Sequence, residues 1–147
     1  MAEPRIAVTL TAHEAIPRED ALVVDEGLGE YNDRAAPLHR VRPLACFARA
    51  GDGRVIGGAI GRTWGYHAEL QQLWVEEAHR GQGIATRLLE RFHAEAGTRG
   101  CAFFYLETWT FQAVGFYRGL GYETAFVLED VGPGYDKHVM VRRVTAP

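Results

Sequence analysis

The sequence predicts a mixed α/β fold: a central sheet of about six to seven strands, flanked by helices. Three observations support this prediction. Short runs rich in β-branched and aromatic residues dominate from residue 41 onward. A glycine-rich segment at 80–83 leads from one such run into an amphipathic helical pattern. The length of 147 residues is typical of one domain, so we expect a single domain over 1–147.

The N-terminal region predicts one strand and one helix. Residues 5–10 alternate as a half-buried strand does. Pro17, followed by acidic residues, is typical of a first helical turn. Gly27 and Gly29 favour a break inside this helix, because glycine is a poor helix former. The apolar stripe of the helix would comprise Leu22, Val23, Leu28 and Tyr31.

Three strand-like runs follow, over 41–50, 54–64 and 67–76. The first two are separated by Gly51-Asp52-Gly53, whose Asp-Gly step is a strong hairpin signal. We therefore expect these two strands to pair antiparallel.

A helix is predicted next, over 84–97, because its apolar residues recur at helical spacing. These residues are Ile84, Leu88, Leu89, Phe92 and Ala96. A buried strand over 101–108 and a helix over 111–120, closed by Gly121, come after it.

The chain closes with strands over 122–128 and 137–144, joined by a Gly-Pro-Gly turn at 132–134.

Composition excludes several classes of function. A formal net charge of -3 argues against binding of nucleic acid. The sequence shows neither a signal-peptide pattern nor eighteen consecutive apolar residues, so we expect a cytoplasmic protein without membrane contact. Cys46 and Cys101 lack the spacing of a disulfide framework or a zinc site. The histidines show no metal-ligand spacing, and no metal is predicted.

The segment Arg80-Gly81-Gln82-Gly83-Ile84-Ala85 carries the main functional signal. Its small residues allow a ligand to approach the main chain. The first N–H groups of a helix lack internal partners and lie at the positive end of the helix dipole, so they suit a pyrophosphate. The spacing matches neither a P-loop nor a complete dinucleotide turn. A glycine-rich connection that binds no ligand is the alternative for this segment alone.

This segment resembles the R/Q-x-x-G-x-G/A pyrophosphate signature of the GNAT N-acetyltransferases, with Arg80, Gly83 and Ala85 at its fixed positions. Residues 116–122 resemble a second familiar segment of the family, with Tyr122 in place of the usual Phe. Residues 70–75 look like the family's fourth strand, which splays from the fifth so that pantetheine can lie between them. The resemblance implies an acetyl-CoA-dependent N-acetyltransferase that acts directly through a ternary complex.

The resemblance also implies the residues that contact acetyl-CoA. Many members have an Asn where this chain has Thr110, and a hydroxyl replaces only part of an amide's bonding. Gln112 is a possible substitute for that contact. The residues predicted to bind acetyl-CoA are Leu73, Trp74, Val75, Arg80, Gly81, Gln82, Gly83, Ile84, Ala85, Thr86, Thr110 and Tyr117.

Acetyl transfer to an amine needs a neutral amine, a stabilised oxyanion and a proton for the leaving thiolate. Tyr117 resembles the family tyrosine near the cofactor sulfur, and we predict it as the general acid; a packing role is the alternative. Glu69 matches a base position of some members, although a solvated glutamate fits the strand start as well. Glu107 is the second candidate base, and the resemblance implies that the Val75 N–H polarises the thioester carbonyl.

The acceptor site is predicted from aromatic and polar residues near strand ends and in the first helix region, which in the family that this chain resembles often forms a wall of this site. These are Glu30, Tyr31, Asn32, Trp64, Tyr66, His67, Glu107 and Trp109. Packing in the core or at its rim is the alternative for each of them. Together they would suit a primary amine of a small molecule, or of a peptide. A non-catalytic acyl-CoA-binding sensor domain is the main alternative, an interaction domain without a cofactor is a third, and family habit suggests a homodimer.

Overall fold

The computed structural model describes residues 6–36, 38 and 40–144. The chain divides into two compact units, one of residues up to 38 and one of residues from 39 onward. Within the described residues no helix is both long enough and apolar enough to cross a membrane.

The first unit contains helix α1 (Arg18–Ala35), which follows Pro17 in an extended conformation. The predicted break does not occur: α1 runs unbroken through Gly27 and Gly29, since each glycine costs only about 1 kcal/mol of helix propensity. The strand predicted over 5–10 is also wrong for residues 6–10, which pair with no strand of the sheet. An alternating residue pattern does not by itself form a strand, because a strand needs a neighbouring strand for its main-chain hydrogen bonds. Arg5 lies outside the described residues.

The second unit is a six-stranded mixed sheet with two helices, and this confirms the predicted fold class. The strands lie in the order β1-β2-β3-β4-β6-β5, and every neighbouring pair is antiparallel except β3 with β4. The elements are β1 (Arg42–Arg49), β2 (Val55–Trp64), β3 (His67–Val75), a 3-10 turn (Glu77–His79), α2 (Ile84–Thr98), β4 (Phe103–Trp109), α3 (Val114–Gly119), β5 (Glu123–Gly132) and β6 (Tyr135–Arg143).

The β1–β2 hairpin forms where the Asp-Gly step predicts it. The Asp52 carboxylate accepts a hydrogen bond from the Arg54 N–H at 3.0 Å, and Gly53 adopts a φ of 86°, which glycine tolerates best. β2 then continues to a second hairpin with β3.

Helix α2 connects the parallel strands β3 and β4 and packs on one face of the sheet. Its apolar face is buried at Leu88, Leu89, Phe92 and Ala96, as the spacing predicts. β2 accommodates this packing at Gly61, where an added Cβ would clash with the Glu69 carbonyl oxygen and approach the Phe92 ring. The main core of the unit therefore lies between α2 and strands β1 to β4.

Two C-terminal boundaries differ from the prediction. α3 begins at Val114 rather than Phe111, because Gln112 forms a turn with Trp109. The Gln112 side-chain oxygen accepts a hydrogen bond from the Trp109 N–H, and the Gln112 main-chain N–H donates to the Trp109 carbonyl. β5 extends to Gly132, so the turn to β6 contains only two residues. Gly121 ends α3 with a φ of 86°, as expected.

The seam between β3 and β4 opens partway along the strands. Four residue pairs join the two strands, from His67 with Phe103 to Leu70 with Leu106. β3 continues to Val75 and β4 to Trp109 without further pairing between them, while β4 stays paired with β6. This fork is the splayed strand pair that the sequence predicts.

Candidate active site

The N-terminus of α2 opens into a cavity beside the end of β3. Gly83, its N-cap, adopts a φ of 75°, and no side chain caps the helix. Gly81 has a φ of 73°, and a Cβ added at either glycine would meet no protein atom within 4 Å. Glycine therefore suits the backbone conformation at both positions, and the absence of a side chain leaves room for a ligand. The cavity, of about 370 Å³, is lined by Val75, His79, Arg80, Gly81, Gly83, Ile84, Ala85, Thr86 and Phe116.

The Arg80 side chain holds the turn in place. Its Nε donates a hydrogen bond to the Val75 carbonyl oxygen at 3.0 Å, which ties the start of the glycine turn to the end of β3. Gln82, the remaining residue of the turn, is exposed and does not line the cavity. The donors available to an anion here are the first N–H groups of α2.

A second cavity, also of about 370 Å³, occupies the fork. It is lined by Gln71, Gln72, Leu73, Trp74, Glu107, Thr108, Gln112, Ala113 and Tyr117. Main-chain groups of β3 that no longer face β4 are therefore available to a ligand along this groove. The groove leads to Tyr117.

Tyr117 is a buried phenol between two other aromatic rings. Its side chain is 8% exposed, and its ring centroid lies 5.2 Å from that of Phe116 and 5.9 Å from that of Tyr122. Burial raises the pKa of Tyr117 to about 12. The phenol therefore keeps its proton at physiological pH, as a hydrogen-bond donor must.

Tyr122 is fixed by a polar chain behind Tyr117. Its buried hydroxyl lies 2.6 Å from His93 Nε2, and the Arg142 guanidinium lies 2.7 Å from His93 Nδ1. Because the guanidinium only donates, Nδ1 accepts and Nε2 carries the proton towards Tyr122. Burial, and secondarily the Arg142 charge, lowers the pKa of His93 to about 4.

A third cavity, of about 360 Å³, adjoins the second and shares Gln71, Glu107 and Gln112 with it. Its lining comprises Glu69, Leu70, Gln71, Glu107, Trp109, Gln112 and Lys137. Both carboxylates already have cationic partners, since Glu69 lies 2.6 Å from Arg62 Nε and Glu107 lies 3.3 Å from Lys137 Nζ. We refer to this cavity below as the acceptor cleft.

Within the second unit, the residues predicted for the acceptor site lie in two places. Glu107 and Trp109 line the acceptor cleft. Trp64 at the end of β2 lies beside His67 at the start of β3, with tilted rings whose centroids are 6.0 Å apart. Tyr66, in the turn between them, is 76% exposed. The three predicted residues of α1, Glu30, Tyr31 and Asn32, belong to the first unit.

Thr110 and Gln112 lie in different surroundings at this turn. The Thr110 hydroxyl accepts a hydrogen bond from the Asp136 N–H at 3.3 Å, and the Thr110 main-chain N–H donates to the Asp136 carbonyl at 3.0 Å. Gln112, by contrast, borders both the fork and the acceptor cleft.

The sequence did not predict that Lys137 lines the acceptor cleft. Its place opposite Trp109 depends on the β4–β6 register, which no short motif encodes.

A larger cavity, of about 800 Å³, lies between β1 and α2 and is bordered by residues such as Cys46, Phe47 and Arg91. It shares Ile84 with the cavity at the start of α2 and shares no residue with the cavity in the fork. Among the residues that the structure describes, no group of three histidine, cysteine or acidic side chains could hold a metal ion.

Known acetyltransferases resemble this chain in sequence and in fold. The sequence model of the acetyltransferase (GNAT) family matches residues 11–122. Blasticidin-S acetyltransferase of Streptomyces morookaense is 36% identical over 76% of this chain and 85% of its own. Acetyltransferase Atu2258 of Agrobacterium fabrum is 40% identical over 55% of this chain and 59% of its own. An acetyltransferase structure from Bacillus cereus has a TM-score of 0.77 and 26% identity, covering 91% and 98% of the chains.

Proposed function

Because this chain belongs to the GNAT family of acetyltransferases, we propose that it transfers the acetyl group of acetyl-CoA directly to a primary amine of a small molecule or peptide. The observation that carries the proposal is the uncapped N-terminus of α2 beside the forked strands β3 and β4. Acetyl transfer and the use of acetyl-CoA follow from the family. The nature of the acceptor is the proposed part.

The residues present suit acetyl-CoA. The open space at Gly81 and Gly83 and the uncapped amides of residues 84–86 would hold the pyrophosphate. The exposed main chain of 73–75 would bind the pantetheine amides. Bound there, acetyl-CoA supplies the activated acyl group. Gln82 and Thr110 remain predicted contacts of the cofactor.

We assign the proton donor to Tyr117 and the base to Glu69, with Glu107 as the second candidate. Support for Tyr117 comes from its burial at the groove and from the raised pKa that keeps it protonated. Glu69 lines the acceptor cleft and is 20% exposed, so a water or an amine can reach it. The Val75 N–H would polarise the thioester carbonyl.

The acceptor would enter through the acceptor cleft, whose proposed contacts include Glu107 and Trp109. Trp64, Tyr66 and the α1 residues Glu30, Tyr31 and Asn32 remain further candidates. The relative from Streptomyces morookaense is named for blasticidin S, so this compound is the first acceptor to try.

The direct test is an amine panel assayed by release of free thiol from acetyl-CoA. We expect turnover with at least one amine, together with stoichiometric N-acetyl product by mass spectrometry. Binding of acetyl-CoA without turnover on any amine would favour the alternative of a non-catalytic sensor domain. An interaction domain without a cofactor would not be stabilised by acetyl-CoA. A true cofactor at a hundred times its dissociation constant stabilises by about 2.7 kcal/mol.

Three further features belong to the same proposal. The family model begins in the first unit and ends in the second, which supports one acetyltransferase domain over 1–147. A cytoplasmic location and a homodimer are also part of the proposal, and the homodimer rests on family habit. Light scattering coupled to size exclusion would test the dimer, and a monomeric mass at micromolar concentration would contradict it.

A further inference from the structure

The charged groups at the acceptor cleft balance one another. An amine that carries only positive charge would be expected to bind in a cleft with excess negative charge. Arg62 neutralises Glu69 at 2.6 Å, and Lys137 neutralises Glu107 at 3.3 Å. The formal charges of these four groups cancel. A diamine entering here would bring an additional cation next to two cations already in place, with no additional anion to balance it.

Lys137 is held in a fixed position at this cleft. It lies directly opposite Trp109 in the β4–β6 register, and its Nζ lies 4.9 Å from the centroid of the Trp109 ring. Its side chain is 26% exposed, so the ammonium is partly withdrawn from solvent yet accessible from the cleft. An ammonium has three N–H donors, so the ion pair with Glu107 leaves at least two of them for a ligand.

Gln112 adds a second donor beside Lys137. Its Oε1 accepts a hydrogen bond from the Trp109 N–H at 3.0 Å, and the Thr108 hydroxyl lies 3.4 Å from the same oxygen. The oxygen is therefore committed to the protein, and the amide NH₂ is the part of Gln112 that can serve a ligand. Lys137 and Gln112 border the same cleft as the two carboxylates.

This arrangement suits a ligand that carries both charges. Resting on the proposed acetyl transfer, we propose that the acceptor is an amino-carboxylate, an amine with a carboxylate a few bonds from its nitrogen. The carboxylate accepts hydrogen bonds from Lys137 and Gln112, and the amine faces Glu107 and Glu69. Lys137 is then a specificity-determining residue.

The test compares acceptors that differ only by the carboxylate: L-lysine with cadaverine, L-ornithine with putrescine, and β-alanine with ethylamine. Binding of each to the CoA-loaded protein is measured by calorimetry, and kcat and KM by thiol release. We expect the carboxylate-bearing member of at least one pair to bind at least ten-fold more tightly. Lys137→Met should remove this preference by raising KM with little change in kcat, and Lys137→Arg should retain most of it.

Arg143→Met provides the matched control. Arg143 lies on the same strand and stacks on Phe103, with its guanidinium carbon 4.7 Å from the ring centroid, and it does not line the cleft. This variant should keep the preference.

Equal or tighter binding of the carboxylate-free amines, binding of neither member of any pair, or an unchanged preference in Lys137→Met would overturn the inference. Failure of every amine to release thiol while acetyl-CoA binds would instead count against the proposed acetyl transfer, because the calorimetric comparison does not depend on turnover.

Discussion

At the scale of single residues, the chemistry of Tyr117 depends on its burial. A phenol in water has a pKa near 10, and burial raises the pKa of Tyr117 to about 12. The acid form is therefore retained throughout the pH range in which proteins are stable. The rings of Phe116 and Tyr122 hold the phenol in place through packing, which a phenylalanine at position 117 would preserve.

Tyr117→Phe should lower kcat by about a hundred-fold or more, the usual contribution of a general acid, and leave the acetyl-CoA dissociation constant within two-fold. Stopped-flow turnover and calorimetry on the same preparation would measure both. Because the phenol stays protonated, the wild-type pH profile should show no loss of activity from Tyr117 below about pH 10. A variant with near-normal kcat would assign Tyr117 to packing alone.

His93 should make the folded protein sensitive to acid. Its folded-state pKa is about 4 and its ordinary value is 6.5, so as pH falls the unfolded chain takes up a proton first. The stability contributed by neutral His93 is fully present above pH 6.5 and is lost as pH falls through 4.

Urea unfolding at several pH values would test this. The wild type should lose more free energy of unfolding between pH 7 and 4 than His93→Gln, even though the variant starts out less stable. Parallel pH dependences would show that the titration of His93 contributes nothing.

At the scale of elements, the proposed acetyl-CoA site depends on the start of α2. Gly83→Ala places a methyl group in the cavity at a φ of 75°, whereas Gly134→Ala imposes the same φ in the β5–β6 turn, where a Cβ also meets no protein atom. Both should cost about 1–2 kcal/mol of stability. Only Gly83→Ala should weaken acetyl-CoA binding, by at least ten-fold in calorimetry. Equal affinities would place the pyrophosphate elsewhere.

Elements with strong local signals were predicted well from sequence. The β1–β2 hairpin, the apolar face of α2 and the end of α3 at Gly121 depend on turn residues and periodicity that the sequence displays directly. The strand at residues 6–10, the break in α1 and the start of α3 were predicted wrongly. A strand depends on pairing with another strand, and the start of α3 depends on the side-chain hydrogen bond of Gln112. The local propensity of the residues describes neither of these.

At the scale of the whole molecule, the glycine turn and the fork could be predicted because two sequence segments carry them. The charge balance of the acceptor cleft could not. Arg62 meets Glu69 across the β2–β3 hairpin, and Lys137 meets Glu107 through the β4–β6 register. Such partners become neighbours only when the sheet order is known.

The fork also divides the sheet into two halves, β1–β3 and β4–β6–β5, joined by four residue pairs. Acetyl-CoA lying between them should satisfy main-chain groups on β3. Amide hydrogen exchange of residues 71–75 should therefore slow more on addition of acetyl-CoA than that of residues 44–48 on β1. Uniform slowing over both ranges would instead indicate global stabilisation.

The position of β6 has a consequence for biosynthesis. This last strand of the sheet lies between β4 and β5 and brings Lys137 and Arg142 to the cleft and to His93. Until the ribosome has made residues 135–143, β4 has an unsatisfied edge and the acceptor cleft lacks one wall. The nascent chain is consequently expected to be inactive until these residues have been made, and during that interval it exposes a strand edge that chaperones or other chains can bind.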